Sequence, residues 1–205
     1  FLIIGHAIGM VFLWVFAIFL SYFLGSLPSA HLASNRKGFD PTRSGSGNPG
    51  ATNVLRVVGL RAGVLVLIAD FSKGSIAAVI GLLIDGTSLG LACWLASVLG
   101  HVFPVTRKFR GGKGVATGAG GCWVLFPLAG GVCTLGFLLI AKISKKVSMA
   151  SILTAVFMPL SVLLYGFELK ELLAAVFLSV LILIRHRENF KRLLGRSEHS
   201  LGIGE

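Results

Sequence analysis

The chain has 205 residues, 55% of them hydrophobic and 13% charged, and its mean hydropathy of +0.87 excludes an ordinary soluble domain. Apolar stretches long enough to cross a hydrocarbon core of about 30 Å recur along nearly all of it, so residues 1–205 read as a single membrane domain. The net charge of +11 would raise the question of nucleic acid, but every Lys and Arg except Lys73 and Lys170 falls in a loop between apolar runs or in the C-terminal tail, a positive-inside distribution that excludes a nucleic-acid partner.

In chain order the apolar runs predict spans at roughly Ile8 to Ala33, Arg61 to Ile84, Leu89 to Val105, Lys113 to Phe126, Leu128 to Ile143, Met149 to Tyr165 and Leu169 to Ile184. The expected fold is therefore an all-α polytopic bundle of about seven transmembrane helices. The first run, Phe1 to Leu24, lacks a basic leader and a small-residue cleavage site, so it reads as a retained span. Basic loops on the cytoplasmic side, the first including Arg36 and Lys37, place the N-terminus outside and the C-terminus inside. The fourth span is the short one, and a re-entrant hairpin there would leave five full crossings with the same sidedness. Small-xxx-small steps at Gly5 and Gly9, Gly59 and Gly63, and Gly114 and Gly118 predict close helix approach. Cys93, Cys122 and Cys133 sit in apolar runs and read as packing residues, with no disulfide framework and no metal cluster.

The first basic loop carries Gly45-Ser-Gly-Asn-Pro-Gly-Ala-Thr-Asn53 and then Arg56. It satisfies G-x-G-x-x-G formally, but the dinucleotide fingerprint requires a strand before it and a helix after it, whereas a membrane helix precedes and Pro49 interrupts. Its Gly-rich backbone, with Ser46, Asn48, Thr52, Asn53 and Arg56, suits an anion; the plainer reading is a turn that caps a helix. Asp70 and Lys73 lie three apart in the second span, where ionisable groups are costly, and read equally as a self-neutralising structural pair or as functional groups. His101 ends the third span.

The second basic loop, Arg107-Lys-Phe-Arg-Gly-Gly-Lys-Gly-Val-Ala-Thr117, fails the Walker A pattern because Gly114 stands where Ser or Thr would hold magnesium. Gly111, Gly112 and Gly114 beside Lys113 at a helix start still make a phosphate cradle; an ordinary positive-inside loop explains the cations but not the glycines. Ser148 and Ser151, one turn apart, read first as caps and second as lining of a site. His186 and Asn189 open the basic tail, and either His101 or His186 could meet a phosphate or move a proton. His6, His31 and His199 have no companions in sequence. No His is followed five residues later by Asp.

These residues resemble the bacterial membrane glycerol-3-phosphate acyltransferases that take their acyl group from acyl phosphate. The resemblance runs through Gly25-Ser-Leu-Pro-Ser-Ala30, the Gly45 to Arg56 loop, Asp70-Phe-Ser-Lys-Gly74, Gly100-His-Val-Phe-Pro104, the Phe109 to Thr117 loop, and His186-Arg-Glu-Asn189 through Glu198. Thr42 stands where the family usually has Arg, with Arg43 next, and Gly195 comes one residue early. The resemblance implies acyl transfer to the 1-hydroxyl of glycerol 3-phosphate, giving lysophosphatidate and inorganic phosphate, the first acylation of phospholipid synthesis. It also implies a seven-helix monomer in the inner or plasma membrane with a cytoplasmic active site, acyl phosphate and glycerol 3-phosphate as substrates, and neither cofactor nor metal. On it, Ser46, Arg56, Lys113, His101, His186 and Asn189 are expected to be catalytic. Asn48, Gly50, Thr52, Asn53, Asp70, Lys73, Gly111, Gly112, Gly114, Thr117 and Ser151 are expected to bind substrate. Ser46, Thr52, Arg56 and Lys113 would hold the acyl-phosphate phosphoryl group, or the second loop would hold the acceptor's phosphate instead; the sequence leaves that division open, as it does the proton acceptor among His101, His186 and a substrate phosphate oxygen. A carrier for a phosphate ester is the rival class, disfavoured because no repeat is visible and the polar groups gather toward one face.

Overall fold

The computed structural model describes residues 2–35 and 38–200, with side chains from residue 5 onward; Phe1, Arg36 and Lys37 lie outside the described residues. All regular structure among the described residues is helical: α1 (Leu2–Gly25), α2 (Ser29–Asn35), α3 (Ala51–Val58), α4 (Leu60–Val102), a 3-10 turn (Val105–Arg107), α5 (Val115–Leu125), α6 (Pro127–Ser144), α7 (Val147–Leu164), α8 (Leu169–Arg185) and α9 (Arg187–Leu194). The expected first span, Ile8 to Ala33, is divided. Pro28 disfavours helical backbone at Leu27, so α1 stops at Gly25 and the chain turns into α2.

The second and third expected spans are the two arms of α4, which breaks at Asp85 and Gly86, the latter at φ 67°. This break is a hairpin, because a Cβ on Gly81 of the first arm would collide with the Leu89 carbonyl of the second. Trp14 of α1 donates from Nε1 to Asp85 Oδ2 at 2.6 Å and pins the turn. Four segments are long and apolar enough to cross a membrane: Gly5–Asn35, Leu60–Arg107, Pro127–Ser144 and Val147–Leu164. Helix α5 is not one of them. Its 11 residues reach roughly 16 Å, about half of a hydrocarbon core.

Helix α5 packs against α4 and α6, α6 against α7, and α7 against α8, while α1 lies along α4. The centre is aromatic: Trp94, Phe126 and Phe167 stack edge to face with centroids 5.9 and 4.9 Å apart. Trp94 Nε1 donates to the Gly118 carbonyl at 3.1 Å, which satisfies its polar atom. Large apolar side chains such as Phe12, Leu83, Ile143 and Leu164 face outward, the inverse of a soluble protein and the expected surface for lipid.

Close approach occurs at Gly63, Gly114 and Gly118, half of the glycines the small-residue spacing picks out, and at several that it does not. No atom lies within 4 Å of a Cβ placed on Gly5 or Gly9, whereas one on Gly74 would strike the Thr117 carbonyl and one on Gly120 the Phe71 carbonyl. This pair sets the crossing of α4 on α5. Gly25 against Ser97 and Gly100 against Tyr22 do the same for α1 on the second arm of α4. Gly74→Val should therefore destabilise the detergent-solubilised protein by about 3 kcal/mol or more, the upper end of overpacking costs. Gly5→Ala and Gly136→Ala, both in open space, should stay within about 0.5 kcal/mol. Thermal unfolding followed by circular dichroism checks the contrast, and equal stability of all three variants would contradict this packing.

Candidate active site

One cavity of about 530 Å³ gathers most of the residues singled out above: Ser46, Asn48, Gly50, Thr52, Asn53, Arg56, Asp70, His101, Lys113, Ser151, His186 and Asn189 all line it. The polar groups form a mouth among the loops. The body is apolar and runs between helices past Phe71, Ala119, Cys122, Phe137, Ala155 and Leu178.

The first loop is built around Asn53. Its Oδ1 accepts from the Ser46 N–H at 2.9 Å, and its Nδ2 donates to the Pro41 and Ser44 carbonyls at 2.9 and 3.0 Å. The side chain is 2% exposed and its donors are used, so it shapes the loop where substrate contact was expected. Gly45 is at φ 59° and its Cβ would strike Asn53, so the turn requires glycine there. Ser46, Asn48, Thr52 and Arg56 are left facing the cavity. Arg56 donates to the Ser200 carbonyl at 3.1 Å, which brings the tail across the mouth.

The second loop corrects the cradle expected of it. The Gly111 and Gly112 N–H groups are already spent on the Val102 and His101 carbonyls, both at 3.1 Å. Their own carbonyls accept from Arg185 at 3.0 and 3.3 Å. A Cβ at Gly111 would meet the His101 carbonyl, and one at Gly112 the His101 ring. These glycines let the strand of backbone pass close to the end of α4; they are not among the residues lining the cavity. Gly114, at φ 83°, starts α5, and Thr117 is wholly buried; neither is among the residues lining the cavity. What the loop delivers is Lys113, followed by Val115 and Ala116 on the first turn of α5, where unpaired N–H groups favour an anion.

Lys113 donates from Nζ to Asn189 Oδ1. Around them, Glu198 accepts from Ser148 Oγ at 2.9 Å, Asn189 Nδ2 at 2.8 Å and Arg192 Nε at 2.9 Å. Ser148 thus faces the site and caps nothing; Ser151 Oγ turns back to the Val147 carbonyl at 2.9 Å. Burial pushes the Lys113 ammonium down to about 8, with Arg192, Arg185 and Arg56 adding to the effect and Glu198 opposing it. Burial also works against the Glu198 carboxylate, but its hydrogen bonds from Asn189, Arg192 and Ser148 outweigh that and hold its pKa below the ordinary value. His186 is pushed to about 4, chiefly by burial and then by Lys113. Its Nδ1 lies 2.8 Å from the Ile182 carbonyl. A carbonyl only accepts, so the proton sits on Nδ1 and Nε2 is left as an acceptor.

Asp70 and Lys73 resolve as a structural pair. Lys73 Nζ donates to Asp70 Oδ1 at 2.7 Å, the Leu27 carbonyl at 2.7 Å and Ser29 Oγ at 3.0 Å. Its three donors are filled and it does not line the cavity, so the expectation that it binds substrate is corrected. Asp70 Oδ1 also accepts from Ser29 at 2.5 Å and lies 3.5 Å from His101 Nδ1. Sequence reasoning gave no role to Ser29, Arg185, Arg192, Glu198 or His199, which also lines the cavity. The tail holds three acids, Glu188, Glu198 and Glu205, so the one available signal for Glu198 was the motif that ends on it.

A family model described as glycerol-3-phosphate acyltransferase matches residues 15–196. The chain belongs to that family. A glycerol-3-phosphate acyltransferase of Aquifex aeolicus is 40% identical over 90% of this chain and 97% of its own, and one of Endomicrobium trichonymphae is 40% identical over 91% and 94%. The crystal structure of PlsY (YgiH), an integral membrane glycerol 3-phosphate acyltransferase, matches in its glycerol 3-phosphate form with TM-score 0.89 at 39% identity, covering 92% of this chain and 96% of that one. Its lysophosphatidic acid form matches with TM-score 0.86 at 39% identity, covering 93% and 96%. This family member is thus an integral membrane glycerol-3-phosphate acyltransferase of phospholipid synthesis.

The Lys113 shift gives the acyltransferase a pH signature. Its charge is present below about pH 8 and is lost as pH rises through that value, so anion affinity is lost in the same direction. The kcat/KM for a phosphate-bearing substrate should fall about tenfold per pH unit above 8, because kcat/KM reports the free enzyme. Lys113→Arg, which stays charged, should lose this limb whatever its absolute rate; a wild-type profile flat to high pH would dissociate Lys113 from anion binding.

Proposed function

We propose that the acyl donor is acyl phosphate, and that the chain moves the acyl group to the 1-hydroxyl of glycerol 3-phosphate, forming lysophosphatidate and inorganic phosphate. The observation that carries this reading is a single cavity with a cationic, donor-rich mouth and an apolar body. Such a site suits two phosphate-bearing substrates, one with a fatty chain. Among the described residues no histidine is hydrogen-bonded to Ser46 Oγ, and the donor's own activation accounts for that. A mixed anhydride has a phosphate leaving group, so positioning and anion stabilisation supply the remaining catalysis.

In this reading Ser46, Asn48, Thr52 and Arg56, with Lys113, hold the donor phosphoryl group, and Gly50 lets its backbone approach. His186, Asn189 and the Ser148–Glu198 pair surround the glycerol moiety, with His101 and Ser151 walling the site. The acceptor hydroxyl oxygen attacks the acyl carbon, the acyl carbon–oxygen bond to phosphorus breaks, and the hydroxyl proton leaves with the phosphate. His186, with a pKa of about 4, is a weaker base than a phosphate oxygen, whose second pKa is about 6. It accepts a hydrogen bond and orients the hydroxyl, while the phosphate takes the proton.

We also infer a monomeric single domain in the inner or plasma membrane with seven membrane segments, α1, the two arms of α4, and α5 to α8, of which α5 reaches only part-way across. The basic loops and the cavity mouth then face the cytoplasm and the N-terminus lies outside. The purified protein in lipid should form lysophosphatidate from acyl phosphate and glycerol 3-phosphate, with no metal added and with acyl-CoA inert. Ser46→Ala and Arg56→Ala should each lower kcat/KM at least about tenfold, the effect of a lost charge-assisted contact of about 1.5–3 kcal/mol. Product from acyl-CoA alone, or uptake of glycerol 3-phosphate into vesicles without acylation, would refute the assignment of the donor.

A further inference from the structure

The apolar body of the cavity has a defined end. Along α7 its lining runs from Val147 and Ser148 through Ser151 and Ala155 to Met158 and goes no further. Along α5 it runs from Val115 to Trp123, and on α6 it reaches no nearer the start of the helix than Gly130. From Ser148 to Met158 α7 rises roughly 15 Å, which is half of a hydrocarbon core of about 30 Å. The groove is therefore about one leaflet deep.

Three features close that end together. The Trp123 indole lies across the gap between α5 and α6, and its Nε1 donates to Thr134 Oγ1 of α6 at 2.9 Å. Gly130 lets the start of α6 lie against Trp123, since a Cβ there would come within 3.1–3.3 Å of the Trp123 backbone and ring. The T-shaped contact of Phe126 with Trp94 fills the space beyond. The side of the groove is different. Leu67 and Ile68 of α4 and Leu138 of α6 line it yet are about half exposed, so the chain has lipid beside it and protein at its tip.

We propose that Trp123, held by Thr134, is the end stop that sets the acyl-chain length used by this enzyme. The inference rests on the acyl-donor reading above. A chain that fits the leaflet depth lies along α5 and α7 with its tip against the indole. A longer one must bend out past Leu67 and Leu138 into lipid, which pulls the carbonyl carbon away from the phosphate-binding mouth. Thr134 contributes by fixing the indole: without the hydrogen bond the ring can swing outward, because it is already 41% exposed.

The test is a chain-length series of acyl phosphates given with glycerol 3-phosphate to wild type, Trp123→Ala and Thr134→Val in the same lipid. The measure is kcat/KM for each length relative to the best length of the wild type. Wild type should decline once chains exceed the optimum. Trp123→Ala should raise the ratio for over-length chains by about tenfold, the lower end of what one misplaced methylene costs in an apolar pocket. Thr134→Val, which removes the hydrogen bond and keeps the volume, should shift it in the same direction by a smaller factor. Unchanged profiles in both variants would overturn the proposal, and so would an equal loss at every length, which marks a merely structural role. Failure of wild type to use any acyl phosphate is a separate result, and it would overturn the donor assignment.

Discussion

A carboxylate at membrane depth is tolerated only where its charge and its lone pairs are met by partners, and Asp70 meets this condition by tying three parts of the chain together. Lys73 comes from its own helix, Ser29 from the corner between α1 and α2, and His101 from the far end of α4. Lys73 extends the knot to the Leu27 carbonyl, at the break between α1 and α2. His101 in turn supports the second loop, through its carbonyl on the Gly112 N–H and its ring against the Gly112 backbone. The position of Lys113 is thus inherited from a buried ion pair that lies on another helix and has no donor left for substrate.

From that fixed lysine the mouth is assembled by opposing charges. Arg56, Arg185 and Arg192 crowd Lys113, and burial alone would favour its neutral form; Glu198 counters both. Three donors hold the Glu198 carboxylate, so the tail, α7 and α9 are joined at one acid. An incoming phosphate relieves the same excess of positive charge. The site is thereby arranged to bind dianions with little rearrangement, the condition under which fixed dipoles and charges act best on a developing anion.

The extent of what could be read from sequence follows from which effects are local. Hydropathy and charge placement revealed the helices and the basic loops, because a span is a property of consecutive residues. The hairpin within α4 was legible for the same reason, Asp85 and Gly86 interrupting an apolar run. The stop of α1 at Gly25 was missed because Ser26 to Ala33 remains apolar enough for a span, and only Pro28 signals the turn. Gly111 and Gly112 were correctly marked as special but given the wrong reason: the spacing suggests free N–H groups, while their partners, Val102, His101 and Arg185, are close in space and not in the motif. The same limit hid Asn53, whose donors close on Pro41 and Ser44, and Ser148, whose partner is fifty residues away. Charge and glycine content point to a phosphate site, but which atoms remain free is settled only by the fold.

The two ends of the cavity divide the work according to solvent. Where the substrates carry charge, the protein must replace water, and it does so with buried donors and cations that are expensive to hold and therefore cross-linked to one another. Where the substrate is a fatty chain, lipid is already as good a solvent as leucine, so burial there adds little binding free energy. The apolar body therefore serves shape more than affinity. This fits the shortness of α5: it begins at the phosphate mouth and ends one turn at most beyond Trp123, carrying Gly118, Gly120 and Gly121 that let α4, α8 and Trp94 close around it. Its length fixes the distance between the place where the acyl carbon must react and the place where the chain must end, and a helix measures that distance more rigidly than a loop.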